Sequence, residues 1–181
     1  DFGAATNAQA IIDQTYQFDY YDGGGLDIAF LGMAQTAAQG NVNVSKFGPK
    51  LAGAGGFINI SRSARKVVFM GSFCAGPCEM DVHEGKLRIL QDATARKFVP
   101  EVEHRTFAGQ YATQRGQEVV YITERCVFRL RTEGLEMTEV APGVDLQRDI
   151  RDRMDFVPIM KSVQPMDARL FQTEPMQLRK S

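Results

Sequence analysis

Between Lys66 and Val140 short runs of β-branched and aromatic residues recur, each bounded by glycine or polar turn residues. Lys66–Met70, Val119–Thr123 and Cys126–Leu130 are apolar runs of strand length, and Leu135–Val140 alternates strictly between apolar and polar. Runs this short suit strands buried in a sheet better than helices. Met80–His83 and Lys86–Leu90 flank Glu84-Gly85, which places glycine at the turn of a hairpin. Leu26–Met33, Asn41–Val44 and Phe57–Ile60 read as further strands, with Phe18–Gly25 as a loop. Three segments call for helices. Asn7–Gln14 follows a cap at Thr6 or Asn7, and Ala108–Arg115 is ended by Gly116. Asp145–Met154 has Asp145 as its cap, Leu146, Ile150 and Met154 on one face, and a solvated charged face. The pattern predicts one α/β domain with a mixed sheet over residues 1–181.

Composition excludes several classes of function. Net charge is −1 and the pI is near 6.2, so no basic field invites nucleic acid or an anionic membrane. No apolar run approaches bilayer length. Three cysteines, Cys74, Cys78 and Cys126, are an odd and sparse set, which points to a reducing compartment, most simply the cytoplasm. Asp1 is not a natural start, so the expectation is an N-terminus that has been cut or processed.

The chemistry-bearing feature is Gly53-Ala54-Gly55-Gly56, inside the longer stretch Lys46–Ser61. Glycine admits positive φ and close approach by other groups, so such a bend can aim main-chain N–H groups at an oxyanion. The alternative is an ordinary tight turn. Gly23, Gly24 and Gly25 either border the same cleft or let the chain turn into the strand at Leu26. Lys46 and Lys50 flank the glycine bend and are candidates for the phosphates of an anionic substrate, against the alternative of simple solvation.

Other motifs fall short. Neither G-x-G-x-x-G nor G-x-x-x-x-G-K-[ST] occurs, and Gly71–Gly76 lacks the lysine of a P-loop. Cys74 and Cys78 with His83 have loose spacing for zinc, so no metal is expected. His83 and His104 read as surface positions on strand edges, Cys126 as a small core residue, and Glu124-Arg125 as an ion pair at a strand start.

Several segments, in order, resemble the family I coenzyme A transferases, in the propionate/acetate branch where both halves share one polypeptide. They are Ile11–Gly32, Gln39–Ile60, Tyr121–Leu130, Val140–Leu146 and Met166–Arg169. The resemblance implies a three-layer α/β/α fold with a mixed, largely parallel sheet. It also implies transfer of coenzyme A between a short-chain acyl-CoA and a free carboxylic acid through a glutamyl-CoA thioester. Coenzyme A is then a substrate, and no separate cofactor is required. In the family the nucleophilic glutamate sits in a Glu-x-Gly-type segment just before the stretch matching Phe2-Gly3-Ala4. The expectation is therefore a C-terminal lobe, inactive alone, whose partner is the N-terminal half. Gly53–Gly56 would supply the oxyanion and acyl-CoA pocket, and the intact enzyme would be a homo-oligomer. The alternative from another class is a non-catalytic CoA-binding or subunit-assembly module.

Overall fold

The computed structural model describes residues 6–176 and Leu178. A six-stranded sheet organises the chain, with its strands side by side in sequence order. They are β1 (Ile28–Gly32), β2 (Lys66–Met70), β3 (Glu118–Ile122), β4 (Cys126–Arg131), β5 (Gly134–Val140) and β6 (Gln164–Pro165). β1, β2 and β3 run parallel, β3–β4 and β4–β5 are antiparallel, and β6 joins β5 in parallel. The sheet is thus mixed, with parallel joints in the majority, as expected.

Strand alternation sorts side chains to the two faces. Across the parallel strands Ala29, Val67 and Val119 are in register, as are Leu31, Phe69 and Tyr121. These residues face a core shared with the helices α2 (Phe57–Ser63) and α3 (Gly109–Gln114). Phe69 sits at its centre, with ring centroids 5.8 Å from Phe57, 5.0 Å from Phe107 and 5.2 Å from Tyr121. The buried Tyr121 hydroxyl donates to the Gly40 carbonyl at 2.6 Å, so the ring enters the core without an orphaned polar atom.

On the opposite face Val120 and Val127 are covered by the predicted hairpin, Glu79–His83 with Lys86–Gln91, through Leu87, and by Met166 and Phe171. That cover stops short of β1. Ile28, Phe30 and Met70 remain exposed, Phe30 at 63%. Helices therefore fill one layer of this lobe, while hairpin and turn fill part of the other.

Three expected elements change character. Helix α1 spans Gln14–Asp22, later than predicted and through the segment read as a loop. Asp13 caps it by accepting from the Thr15 N–H, whereas Asn7 has φ 57°, unsuited to an N-cap. Phe57–Ile60 is helical, not a strand: Phe57, Ile60, Ser61 and Ala64 recur at helical spacing toward the core, so tertiary packing overrides the β-branched isoleucines. Asp145 does cap the next helical segment, but Leu146–Ile150 forms a π-turn and Arg151–Arg153 a 3₁₀ turn. Asp149 accepts from the Asp145 N–H, and Ile150 and Met154 are buried, so packing wins over regular α-geometry. Phe2, Gly3 and Ala4 lie outside the described residues.

Candidate active site

The glycine bend enters α2 directly, and its geometry comes from a small hairpin before it. Lys46–Phe47 pairs with Lys50–Leu51, turning at Gly48. Glu103 pins this turn by accepting from the Gly48 N–H at 2.8 Å, while Gln35 donates to its other oxygen. Ser45 is the anchor beneath. Its carbonyl accepts the N–H groups of Ala52 and Gly53, and its hydroxyl bonds to His104 Nδ1 at 2.6 Å and Thr106 at 2.8 Å. His104 is exposed as expected, but it lies in a loop and braces the bend rather than a strand edge.

Gly53 and Gly55 have φ of 79° and 53°, a backbone region costly for other residues. A Cβ at either would meet nothing within 4 Å, so it is conformation and not crowding that calls for glycine there. Gly56 returns to right-handed φ −77°, and a Cβ there would press on the Phe18 ring of α1. Positive φ at Gly53 and Gly55 thus alternates with negative φ at Ala54 and Gly56, the kind of backbone from which anion-binding nests are built. Gly53 spends its N–H on Ser45. Among the described residues no acceptor takes the N–H of Ala54, Gly55 or Gly56, and the bend is at the surface. Three successive main-chain donors are thus unspent, with Gly55 exposed and Ala54 and Gly56 half-buried.

Lys46 and Lys50 lie on the small hairpin and form no ion pair among the described residues. Phe47 and Leu51 beside them are exposed, Leu51 at 71%, so the hairpin offers both charge and apolar surface next to the bend. Gly23 and Gly24 border a cleft of about 490 Å³ at the far end of α2, with Asn59, Arg62 and Arg115. Gly25 lies against the Tyr20 ring. The structure thus brings Lys46 and Lys50 to the bend and sets Gly23–Gly25 near the opposite end of the same helix.

The sequence reading missed a buried charge network at the carboxyl ends of the parallel strands. Arg125 is 1% exposed and forks onto Asp92, with Nε on Glu124 at 3.0 Å and Nη1 on the Asp149 carbonyl at 2.8 Å. It lies 5.0 Å from the Phe73 ring centroid. The expected Glu124–Arg125 pair is real but buried, and Asp92 is its stronger partner. Glu124 also accepts from the Phe73 N–H, and Arg153 reaches Asp92 at 3.1 Å. Hydrogen bonding from Arg125 holds the Asp92 carboxyl below its usual range. Buried Lys97 donates to the Ser72 carbonyl at 2.9 Å, and burial lowers its pKa. These contacts fix the loop after β2. No short-range signal in the sequence couples Asp92 to Arg125.

Cys126 is buried in β4 as expected, and burial pushes its thiol upward. Cys74 is buried and Cys78 exposed, and all three cysteines are free. Among the described residues no group of three or more His, Cys, Asp or Glu side chains gathers as a metal site.

The chain matches no protein-family model. It is 51% identical to a caffeate CoA-transferase of Acetobacterium woodii, across 94% of this chain and 34% of that protein. It is 48% identical to the acetate CoA-transferase YdiF of Escherichia coli K12, across 94% of this chain and 32% of that protein. Among solved structures it resembles the acyl-CoA transferase YdiF of Escherichia coli O157:H7. The apoenzyme superposes with a TM-score of 0.94 at 47% identity, covering 98% of this chain and 35% of that one. A thioester complex with CoA gives 0.94 at 46% identity, covering 96% and 34%. No helix among the described residues is long and apolar enough to cross a membrane. The chain belongs to the coenzyme A transferase family, as a lobe spanning about a third of the length of its relatives.

Proposed function

We propose that this lobe forms one wall of the active site in an enzyme that moves coenzyme A between a short-chain acyl-CoA and a free carboxylic acid. A glutamate from polypeptide outside this chain attacks the thioester carbonyl. The tetrahedral oxyanion collapses and expels CoA thiolate, leaving an acyl-glutamyl anhydride. The thiolate then attacks the glutamyl carbonyl, releases the first carboxylate and leaves a glutamyl-CoA thioester. The acceptor acid regenerates the glutamate by the reverse sequence. Each tetrahedral adduct carries a full negative charge on oxygen, which is where fixed N–H donors act most strongly.

The single observation that carries this reading is the trio of unspent N–H groups at Ala54, Gly55 and Gly56, on a bend that Ser45 and Glu103 hold in place. One such donor contributes about 3–4 kcal/mol to the transition state. Lys46 and Lys50 would add positive charge beside the bend. The three free cysteines suit a reducing compartment such as the cytoplasm. The preceding polypeptide is the expected partner, within a homo-oligomer.

The test is a CoA-transfer assay between acetyl-CoA and propionate, on this chain alone and after adding the remaining polypeptide. The isolated chain should be inert and the mixture active. Turnover by the isolated chain would contradict an external nucleophile. An inert but fully associated mixture would favour a binding or assembly module instead.

A further inference from the structure

On its N-terminal side the glycine bend hangs from the core through a narrow connection. The last backbone rung there is an antiparallel bridge between Val42 and Phe107, which exchange hydrogen bonds at 3.1 and 3.0 Å. Phe107 is itself fixed by its edge contact with Phe69. Beyond that bridge side chains take over the pairing. The Val44 N–H goes to the Thr106 hydroxyl at 3.2 Å, and the Ser45 N–H goes to Asn43 Oδ1 at 3.0 Å. Ser45 then carries the bend, because its carbonyl accepts from Ala52 at 2.8 Å and from Gly53 at 3.2 Å.

The proton count along this connection has one solution. Thr106 Oγ1 already accepts from Val44, and among the described residues its other side-chain contact is Ser45 Oγ at 2.8 Å. Thr106 is buried, so its hydroxyl proton goes to Ser45. Ser45 is 1% exposed, and its own proton goes to the acceptor that remains, His104 Nδ1 at 2.6 Å. The imidazole is thereby the Nε2–H tautomer, with Nδ1 closing a chain of donors that begins at the Val44 N–H. The reverse order would leave the buried Thr106 proton without an acceptor. His104 is exposed, so what it contributes is an acceptor and not core packing.

We infer that His104 is a positioning residue for CoA transfer, holding Ser45 and, through it, the donors of the glycine bend. The inference rests on the function proposed above, which gives the amides of the bend their part in the transition state. Without an acceptor at residue 104 the Ser45 hydroxyl proton is buried and unmatched, and the segment must shift toward water to satisfy it. A displacement of about 1 Å at the donors costs catalysis far more than it costs folding. Leucine at this position removes the acceptor, whereas asparagine offers Oδ1 one bond beyond Cγ, where Nδ1 stands.

Amide hydrogen exchange and steady-state kinetics on the full-length protein test this with His104→Leu and His104→Asn. In His104→Leu the Ala52 and Gly53 amides should exchange about fivefold faster or more. Its kcat should fall about tenfold, with KM for the acyl-CoA within about twofold of wild type. His104→Asn should restore both, a rescue that a merely space-filling surface residue would not show. Wild-type exchange and kcat in His104→Leu, or equal defects in the two variants, would overturn the positioning role. In Ser45→Ala the leucine substitution should add little further loss, because both changes break one contact, and full additivity would contradict the coupling. Exchange that follows the acceptor in a protein without CoA transfer would sink the enzymatic reading alone. An active transferase whose exchange and kcat ignore residue 104 would sink this inference alone.

Discussion

Asp92 carries much of the electrostatic weight in this lobe, because Arg125 is buried and its guanidinium is forked onto that one carboxylate. Removing one member of a buried pair leaves the other charge unmatched. Asp92→Asn should therefore destabilise the lobe by about 3 kcal/mol, read from chemical denaturation. The pair also sets an acid limit. The folded-state pKa of Asp92 is lowered, so its contribution is fully present above the unfolded value of about 4. It is lost as pH falls through the lower folded value. Wild type should lose stability below about pH 4, and Asp92→Asn should show a shallower loss over the same range. None of this was legible from spacing, because Asp92 and Arg125 meet only through the fold. The glycine bend was legible, since φ of 79° and 53° at Gly53 and Gly55 strongly favours glycine.

At the scale of elements, the sheet was readable and the helices less so. Strands β2, β3 and β4 follow from apolar runs, because burial on both faces leaves a continuous apolar signal, while β5 and the hairpin around Glu84-Gly85 follow from alternation and turn residues. Helix α2 was hidden because Phe57, Ile58 and Ile60 favour strands locally, and only the core beneath shows that Phe57 and Ser61 share a face. Helix α1 buries no residue in this lobe, so it gave no periodic apolar pattern to detect. Phe57 joins the bend to the core by stacking on Phe69. Phe57→Ala should cost about 3–5 kcal/mol in denaturant unfolding, and the α2 amide protons should exchange faster as the bend loses its support.

For the whole molecule, the proposed function puts the remaining polypeptide against the exposed apolar surface. Ile28, Phe30 and Met70 lie on an uncovered sheet face, and Tyr16 and Tyr20 project from α1. A monomer seldom leaves such surface open. The isolated chain should bind an anilinonaphthalene dye and self-associate, and adding the remaining two-thirds of the polypeptide should quench the dye signal. Dye binding unchanged by that addition would place the interface elsewhere. The bend itself is best probed by steady-state kinetics of Gly55→Ala in the full-length enzyme. Left-handed strain should cost only about 1–2 kcal/mol of stability. The variant should lose about 100-fold or more in kcat, with little change in KM for the acyl-CoA. If kcat stayed near wild type in a folded variant, the amides of Ala54, Gly55 and Gly56 would have no part in the chemistry.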